Sequence, residues 1–316
     1  MSILIVMMMY AVWSSVFSLG KLALEVSPPL FLTASRMLLA GILLLAFLAI
    51  FKRSQLKFSP KLLIPLALYG FLGMYLTNAF EFWSLQHLTA AKTCFLYSLS
   101  PFLAAFFSYL HFGEKMNRRK WIGMAIGLAG ILPVLIIKTG SESLIGGVFF
   151  FSWPELAMMA AVLCSSYGWI LLRLLVKDSA VSPSLSNGIG MLIGGAFALV
   201  HSLYIDSWNP LPVAGESMPA FAQGVILMTL VSNILCSNLY GFVLKRFTAT
   251  FVSFMGLLSP VFASINSWLF LGEAPSLVIF LSTGVVSLGL WLVYSAELKQ
   301  GYIRKAETAS ATVTAV

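Results

Sequence analysis

Five ionisable side chains stand inside or at the ends of long apolar runs: Lys21, Glu25, Arg36, Glu81 and Lys92. A charge surrounded by hydrocarbon is costly, so such a group ordinarily faces a cavity, a pathway or a partner. Lys21 and Glu25 are four apart, the spacing at which opposite charges pair along one helix. Glu81 and Lys92 flank a short connector, and an ion pair between the two adjoining helices is expected there. Arg36 lies deeper in its run and is expected to face a cavity or bridge two helices. A guanidinium, two ammonium groups and carboxylates in one region would suit a ligand that carries charges of both signs. The competing reading for Glu25, Glu81 and Lys92 is that the side chains reach back to the membrane interface.

Aromatic and amide residues extend the set. Tyr10, Trp13 and Phe17 recur at three and four residues and form one helical stripe. Aromatic faces bind cations and stack on flat rings, although packing and interface belts use the same residue types. Trp13, Phe17 and Tyr97 are the best aromatic candidates because they fall near the charged group. Asn78 stands one turn before Glu81 on a shared face, and Asn238 and Tyr240 come from a distant run. The candidate substrate-binding residues are therefore Trp13, Phe17, Lys21, Arg36, Asn78, Glu81, Lys92, Tyr97, Asn238 and Tyr240.

The elements that must position these residues follow from hydropathy. The chain has 316 residues, 59% hydrophobic and only 9% charged, with a mean hydropathy of +0.95. Soluble domains carry about 25% charged residues, so a cytosolic globular enzyme, a disordered chain and a nucleic-acid binder are excluded. A helix needs about 20 apolar residues to span the hydrocarbon. Ten runs meet that need: 3–24, 30–51, 62–84, 90–112, 121–137, 154–176, 185–205, 221–243, 249–271 and 276–296. Lipid leaves no partner for open backbone groups, so these are helices. The first run lacks a basic start and a cleavage site and reads as an uncleaved span. The expected fold is all-α and integral to a membrane, with lipid and a small molecule as partners. Cys94, Cys164 and Cys236 show no metal or disulfide spacing, and no cofactor or metal is expected.

The net charge of +8 is a topology signal. With the N-terminus inside, the inner loops and tail hold Lys52, Arg53, Lys57, Lys61, Lys115, Arg118, Arg119, Lys120, Arg173, Lys177, Lys245, Arg246, Lys299, Arg304 and Lys305. The outer loops hold only Lys138. That asymmetry places both termini in the cytoplasm.

The chain also repeats itself. At a shift of 159 residues, Leu85 meets Leu244, Thr89-Ala90 meets Thr248-Ala249, and Leu99-Ser100-Pro101 meets Leu258-Ser259-Pro260. Ala104 meets Ala263 and Gly113-Glu114 meets Gly272-Glu273 in the same register. Five spans per half invert the second copy, the sequence mark of a secondary transporter with its site between the halves. The expected units are 1–138, 139–296 as the inverted copy, and a cytoplasmic, disordered tail over 297–316.

The twice-repeated T-A…L-S-P…G-E pattern resembles the drug/metabolite transporter superfamily, in its EamA-type ten-helix branch. Arg36 within Ala34-Ser-Arg-Met-Leu-Leu-Ala40 resembles that branch's span-two arginine. Trp13-Ser14-Ser15-Val16-Phe17 with Lys21 resembles its first-span W-G-x-x-F pattern, with Ser14 in place of glycine. Span seven departs from the pattern, with Asn187 where an arginine would fall. The resemblance covers about residues 3–296. It implies a carrier in the cell inner membrane that works by alternating access, as a monomer or a homodimer. Some bacterial members of the branch take up S-adenosylmethionine, some in exchange for S-adenosylhomocysteine, and that is the best substrate expectation here. Amino acids and drugs are the alternatives within the superfamily.

Enzyme motifs are absent: there is no GxSxG, GxxxxGK[ST], HExxH or CxxC. An integral-membrane enzyme or lipid flippase would need a polar cluster at one interface, and none is evident; a non-transporting scaffold is the remaining class. No acidic residue falls at the middle of a span, which favours exchange or facilitated uptake over proton coupling. Gly123, Gly127 and Gly130, with Gly284 and Gly289, are expected to mark close helix packing.

Overall fold

A computed structural model of the chain describes residues 3–56, 59–112, 116–178, 181–244 and 255–300. Among them, nine helices are long and apolar enough to cross a membrane. They are α1 (Ile3–Leu24), α2 (Pro29–Phe51), α3 (Pro60–His87), α4 (Ala90–His111), α5 (Arg118–Ile136), α6 (Trp153–Val176), α7 (Pro183–Ile205), α8 (Gly215–Cys236) and, last in the chain, α10 (Leu277–Gln300). A helix over Ser237–Leu244 continues α8. The shorter α9 (Ser259–Leu271) precedes α10. The first part of the ninth expected span, with Thr248-Ala249, lies outside the described residues, as do Gly113-Glu114, Lys57, Lys115, Lys245, Arg246, Arg304 and Lys305. α10 runs on to Gln300, past the expected end at 296. The spacer between α5 and α6 holds one short helical turn, Glu142–Ile145, and an antiparallel pair in which Gly147 faces Ser152 and Val148 faces Phe151.

Local chemistry sets the helix ends. Pro29 and Pro183 occupy first-turn positions, where a missing N–H costs nothing. The side chains of Thr89, Asn117 and Ser182 accept hydrogen bonds from the backbone N–H groups of Lys92, Lys120 and Leu185.

Helices from the two parts of the chain interleave. α2 packs along α7, and α5 packs along α10. α1 lies against α8 and α9, while α6 lies against α3 and α4. At the α5–α10 seam a Cβ on Gly123 would stand 2.5 Å from the Gly289 carbonyl oxygen, so only glycine permits that approach. Gly284 is different: nothing lies within 4 Å of its would-be Cβ, so the close-packing expectation holds for Gly123, Gly127, Gly130 and Gly289 but not there.

Two spans carry a wider helical turn. Tyr69–Leu76 in α3 and Thr229–Cys236 in α8 are both π-helical, each eight residues long. Their first residues are 160 positions apart, 69 against 229. Each ends in the same device. Thr77 Oγ1 donates to the Leu72 carbonyl at 2.9 Å, and Ser237 Oγ donates to the Ser232 carbonyl at 2.8 Å, both reaching back five residues. Single π turns inside α-helices recur at functional sites, because the extra residue re-aims the side chains that follow. Asn78 and Asn238 come directly after these two stretches.

Candidate functional site

Arg36 and Tyr97 each lie seven residues from the starts of α2 and α4; Phe17 lies seven and Glu81 six residues from the ends of α1 and α3. At about 1.5 Å rise per residue all four sit about 10 Å from the same end of the bundle. The structure joins them. Arg36 is 3% exposed and donates from Nη2 to Asn78 Oδ1. Its guanidinium lies over the Phe82 ring, 4.8 Å from the centroid. Asn78 donates onward from Nδ2 to the Met74 carbonyl at 2.7 Å. Tyr97 donates its hydroxyl hydrogen to Glu81 Oε2 at 2.8 Å, and its ring is 5.9 Å from that of Phe17. The charges of Arg36 and Glu81 attract one another across this group. Arg36 Nε has no partner among the described residues. One cation and one carboxylate, at one depth and beside aromatic faces, can pair with the two ends of a zwitterion.

A second group of rings lies further from that end. Trp13 stacks on Tyr10 with centroids 6.4 Å apart and meets Tyr240 edge-on at 5.8 Å. Trp169 stands 5.4 Å from Tyr240. Helices α1, α6 and the continuation of α8 thus build one aromatic wall. Of the expected residues, Trp13, Phe17, Arg36, Asn78, Glu81, Tyr97 and Tyr240 belong to these two neighbouring groups. The Asn238 side chain lies outside the described residues.

Two expected ion pairs are corrected. Lys21 pairs with Glu273 at 3.0 Å and donates to the Leu88 carbonyl at 2.6 Å, while Glu25 is exposed in the turn after α1. Glu273 Oε2 also accepts from the Ala90 N–H at 3.2 Å, so this contact straps α1 and the α3–α4 connector to the α9–α10 connector. Lys92 does not meet Glu81. It is fully buried between Glu142 at 2.7 Å and Glu155 at 2.6 Å, and donates to the Ile137 carbonyl at 2.9 Å. Lys138 completes the knot at 2.7 Å from Glu155, and Ser152 Oγ donates to Glu142 at 2.8 Å. The reason is steric proximity in three dimensions. The α5–α6 spacer brings Glu142, and the first turn of α6 brings Glu155, against the start of α4, while Tyr97 engages Glu81.

Glu142, Glu155, Phe82 and Asn233 were not among the sequence candidates. With only 11 acidic residues in the chain, each one beside an apolar run was a signal. Glu155, third in Trp153-Pro154-Glu155, was the plainest. His201, on α7, contacts the Tyr75 hydroxyl at 2.7 Å. Among the described residues no cluster of His, Cys, Asp and Glu is arranged to hold a metal ion.

The comparisons with known proteins agree with this architecture. The chain is 39% identical over 312 residues to a protein of Chlamydia muridarum named S-adenosylmethionine/S-adenosylhomocysteine transporter, covering 97% of this chain and 96% of that one. A Chlamydia trachomatis serovar L2 protein of the same name is 39% identical over 308 residues, covering 97% and 93%. An Escherichia coli K12 protein named uncharacterized inner membrane transporter YedA is 24% identical over 291 residues, covering 90% and 88%. A solved crystal structure superposes with a TM-score of 0.65 over 93% of this chain and 97% of its own, at 19% identity, and shares the fold. The profile described as the EamA-like transporter family matches residues 1–136 and again 152–295. With apolar helices crossing the membrane many times and both stretches matched, this all-α, multi-pass membrane protein belongs to the EamA-like transporter family.

Proposed function

We propose that the chain is a secondary carrier of the inner membrane that takes up S-adenosylmethionine in exchange for S-adenosylhomocysteine. The observation that carries the reading is the Arg36–Asn78 and Glu81–Tyr97 group beside the aromatic wall. The substrate has an α-carboxylate, an α-ammonium, a sulfonium and a flat base. Arg36 binds the carboxylate in forked geometry, Glu81 binds the ammonium, and the rings accept the sulfonium and the base. The names of the Chlamydia relatives support the same substrate pair.

The carrier works by alternating access between two inverted five-helix halves, 1–138 and 139–296, with both termini cytoplasmic. Three observations support the repeat: the profile matches twice, π-helical stretches recur 160 residues apart, and α1 packs on α8 and α9 as α6 packs on α3 and α4. Inverted halves that rock about a site between them are the general means of such transport. The same protein serves as a monomer or a homodimer in this scheme.

The test is exchange in proteoliposomes. Labelled S-adenosylmethionine is offered outside, with S-adenosylhomocysteine or buffer inside. Saturable uptake accelerated by the internal ligand is expected. Folded protein that gives no uptake above empty liposomes would discard this substrate and leave amino acids and other metabolites as the next panel.

A further inference from the structure

Asn233 is placed unlike Asn78 and Asn187. Asn78 has both ends of its amide engaged, and Asn187 Oδ1 accepts from the Tyr69 hydroxyl at 2.8 Å. Asn233 is 5% exposed, yet its Oδ1 has no partner among the described residues. Its Nδ2 finds only the thioether sulfurs of Met37 at 3.7 Å and Met191 at 3.8 Å, which are weak acceptors. A buried amide left this way is costly. It becomes favourable when a ligand brings both a donor and an acceptor.

The surroundings say which ligand. Asn233 lies in the π-helical stretch of α8. Met37, which it touches, is the neighbour of Arg36 along α2. Three residues on, Cys236 Sγ is 3.9 Å from the Met9 carbonyl, so the same stretch of α8 also reaches α1. Four further on, Tyr240 meets Trp13. The unpartnered amide thus belongs to a stretch of α8 that packs on α2, which carries Arg36, and on α1, which carries Trp13. An amide offering one acceptor and one donor side by side matches the edge of adenine, whose exocyclic amine donates and whose neighbouring ring nitrogen accepts.

We propose that Asn233 is the specificity-determining residue for the base. Oδ1 accepts from the exocyclic amine, Nδ2 donates to the adjacent ring nitrogen, and the wall of Trp13 and Tyr240 stacks on the face of the ring. The assignment rests on the adenosyl substrate proposed above.

The test is competition against labelled S-adenosylmethionine uptake in proteoliposomes, with S-adenosylhomocysteine and S-inosylhomocysteine as competitors. The second differs in carrying a carbonyl where adenine has its amine. In the wild type the adenine compound is expected to compete about tenfold better, the size of one lost base-edge pair. In Asn233→Leu that ratio falls to within about twofold, and KM for S-adenosylmethionine rises. Asn233→Asp, which keeps the acceptor and loses the donor, falls between them and serves if the leucine variant does not fold. A wild type that transports the substrate without preferring the adenine compound, or a folded variant that keeps the full preference, overturns the assignment while the transport reading stands. A folded wild type with neither uptake nor a melting shift with S-adenosylhomocysteine overturns both.

Discussion

The Tyr97 hydroxyl and the Glu81 carboxylate lie 2.8 Å apart and join α4 to α3 at the depth of Arg36. The carboxylate has a neutral donor on one side and a buried cation nearby, and it keeps acceptor capacity for a ligand. Tyr97→Phe removes one hydrogen bond to a charged group, worth about 1.5–3 kcal/mol. KM in the exchange assay is expected to rise about tenfold or more, with protein yield unchanged. Glu81→Gln removes the charge as well and is expected to abolish measurable uptake. Full uptake in both variants would exclude Glu81 from the binding group.

Lys92 is held by two carboxylates at zero exposure. Lys92→Met leaves Glu142 and Glu155 facing each other with only the half-buried Lys138 nearby. Breaking a buried pair from one side costs about 3–5 kcal/mol. The melting temperature in detergent is expected to drop sharply. Lys92→Met with Glu142→Gln removes one charge of each sign and leaves Glu155 with Lys138. That double variant is expected to recover most of the loss. Thermal unfolding of the three proteins reads the difference, and equal losses in single and double variants would contradict the pairing.

The Lys21–Glu273 strap is partly exposed, 22% and 19% for the two side chains, so its static contribution is small. Its expected importance is to transport rather than to stability, because it ties α1 to the start of α10's connector. Lys21→Glu and Glu273→Lys alone each place like charges together and are expected to lower uptake at least fivefold. The exchanged pair, carrying both changes, is expected to return to within about threefold of wild type. Uptake rates of the four proteins in parallel make the comparison, and failure of the exchanged pair to improve on the singles would mean the contact has another role.

Gly289 and Gly284 lie on one helix and predict opposite results. A Cβ on Gly289 would stand 2.5 Å from the Gly123 carbonyl oxygen, and α5 and α10 would have to part. Overpacking of this kind costs about 1–3 kcal/mol. Nothing lies within 4 Å of the position at Gly284, and alanine in a helix interior is favoured over glycine by about 1 kcal/mol. Gly289→Ala is expected to lower the melting temperature, and Gly284→Ala to leave it unchanged or raise it.

The proposed exchange of S-adenosylmethionine, with net charge +1, for neutral S-adenosylhomocysteine would move one positive charge inward per cycle. Arg36 and Glu81 cancel one another and do not compensate it. A potential of 100 mV, negative inside, is worth about 2.3 kcal/mol per charge, on the order of fifty-fold in accumulation. Liposomes with an imposed potassium diffusion potential test this. Equal uptake at zero and negative potential would show that a counter-charge moves with the substrate.

The spans were legible in the sequence because hydropathy is local: a run such as Met37–Ala46 reads as a helix whatever surrounds it. That Arg36, Glu81, Asn78 and Tyr97 lie near one another was legible for a related reason. Four polar groups set at similar depths in three successive apolar runs have few places to go. Sequence by itself also determined the charge asymmetry of the loops and the residues that repeat. Partners were decided only by the tertiary structure. Lys92 reaches Glu155 in the next part of the chain, and Lys21 reaches Glu273 more than 250 residues away. Neither spacing nor helix period carries that information, since it depends on how α6 and the α9–α10 connector pack. The same holds for Asn233. Its unpaired oxygen arises from the turn of α8 and from the two methionines that α2 and α7 place against it.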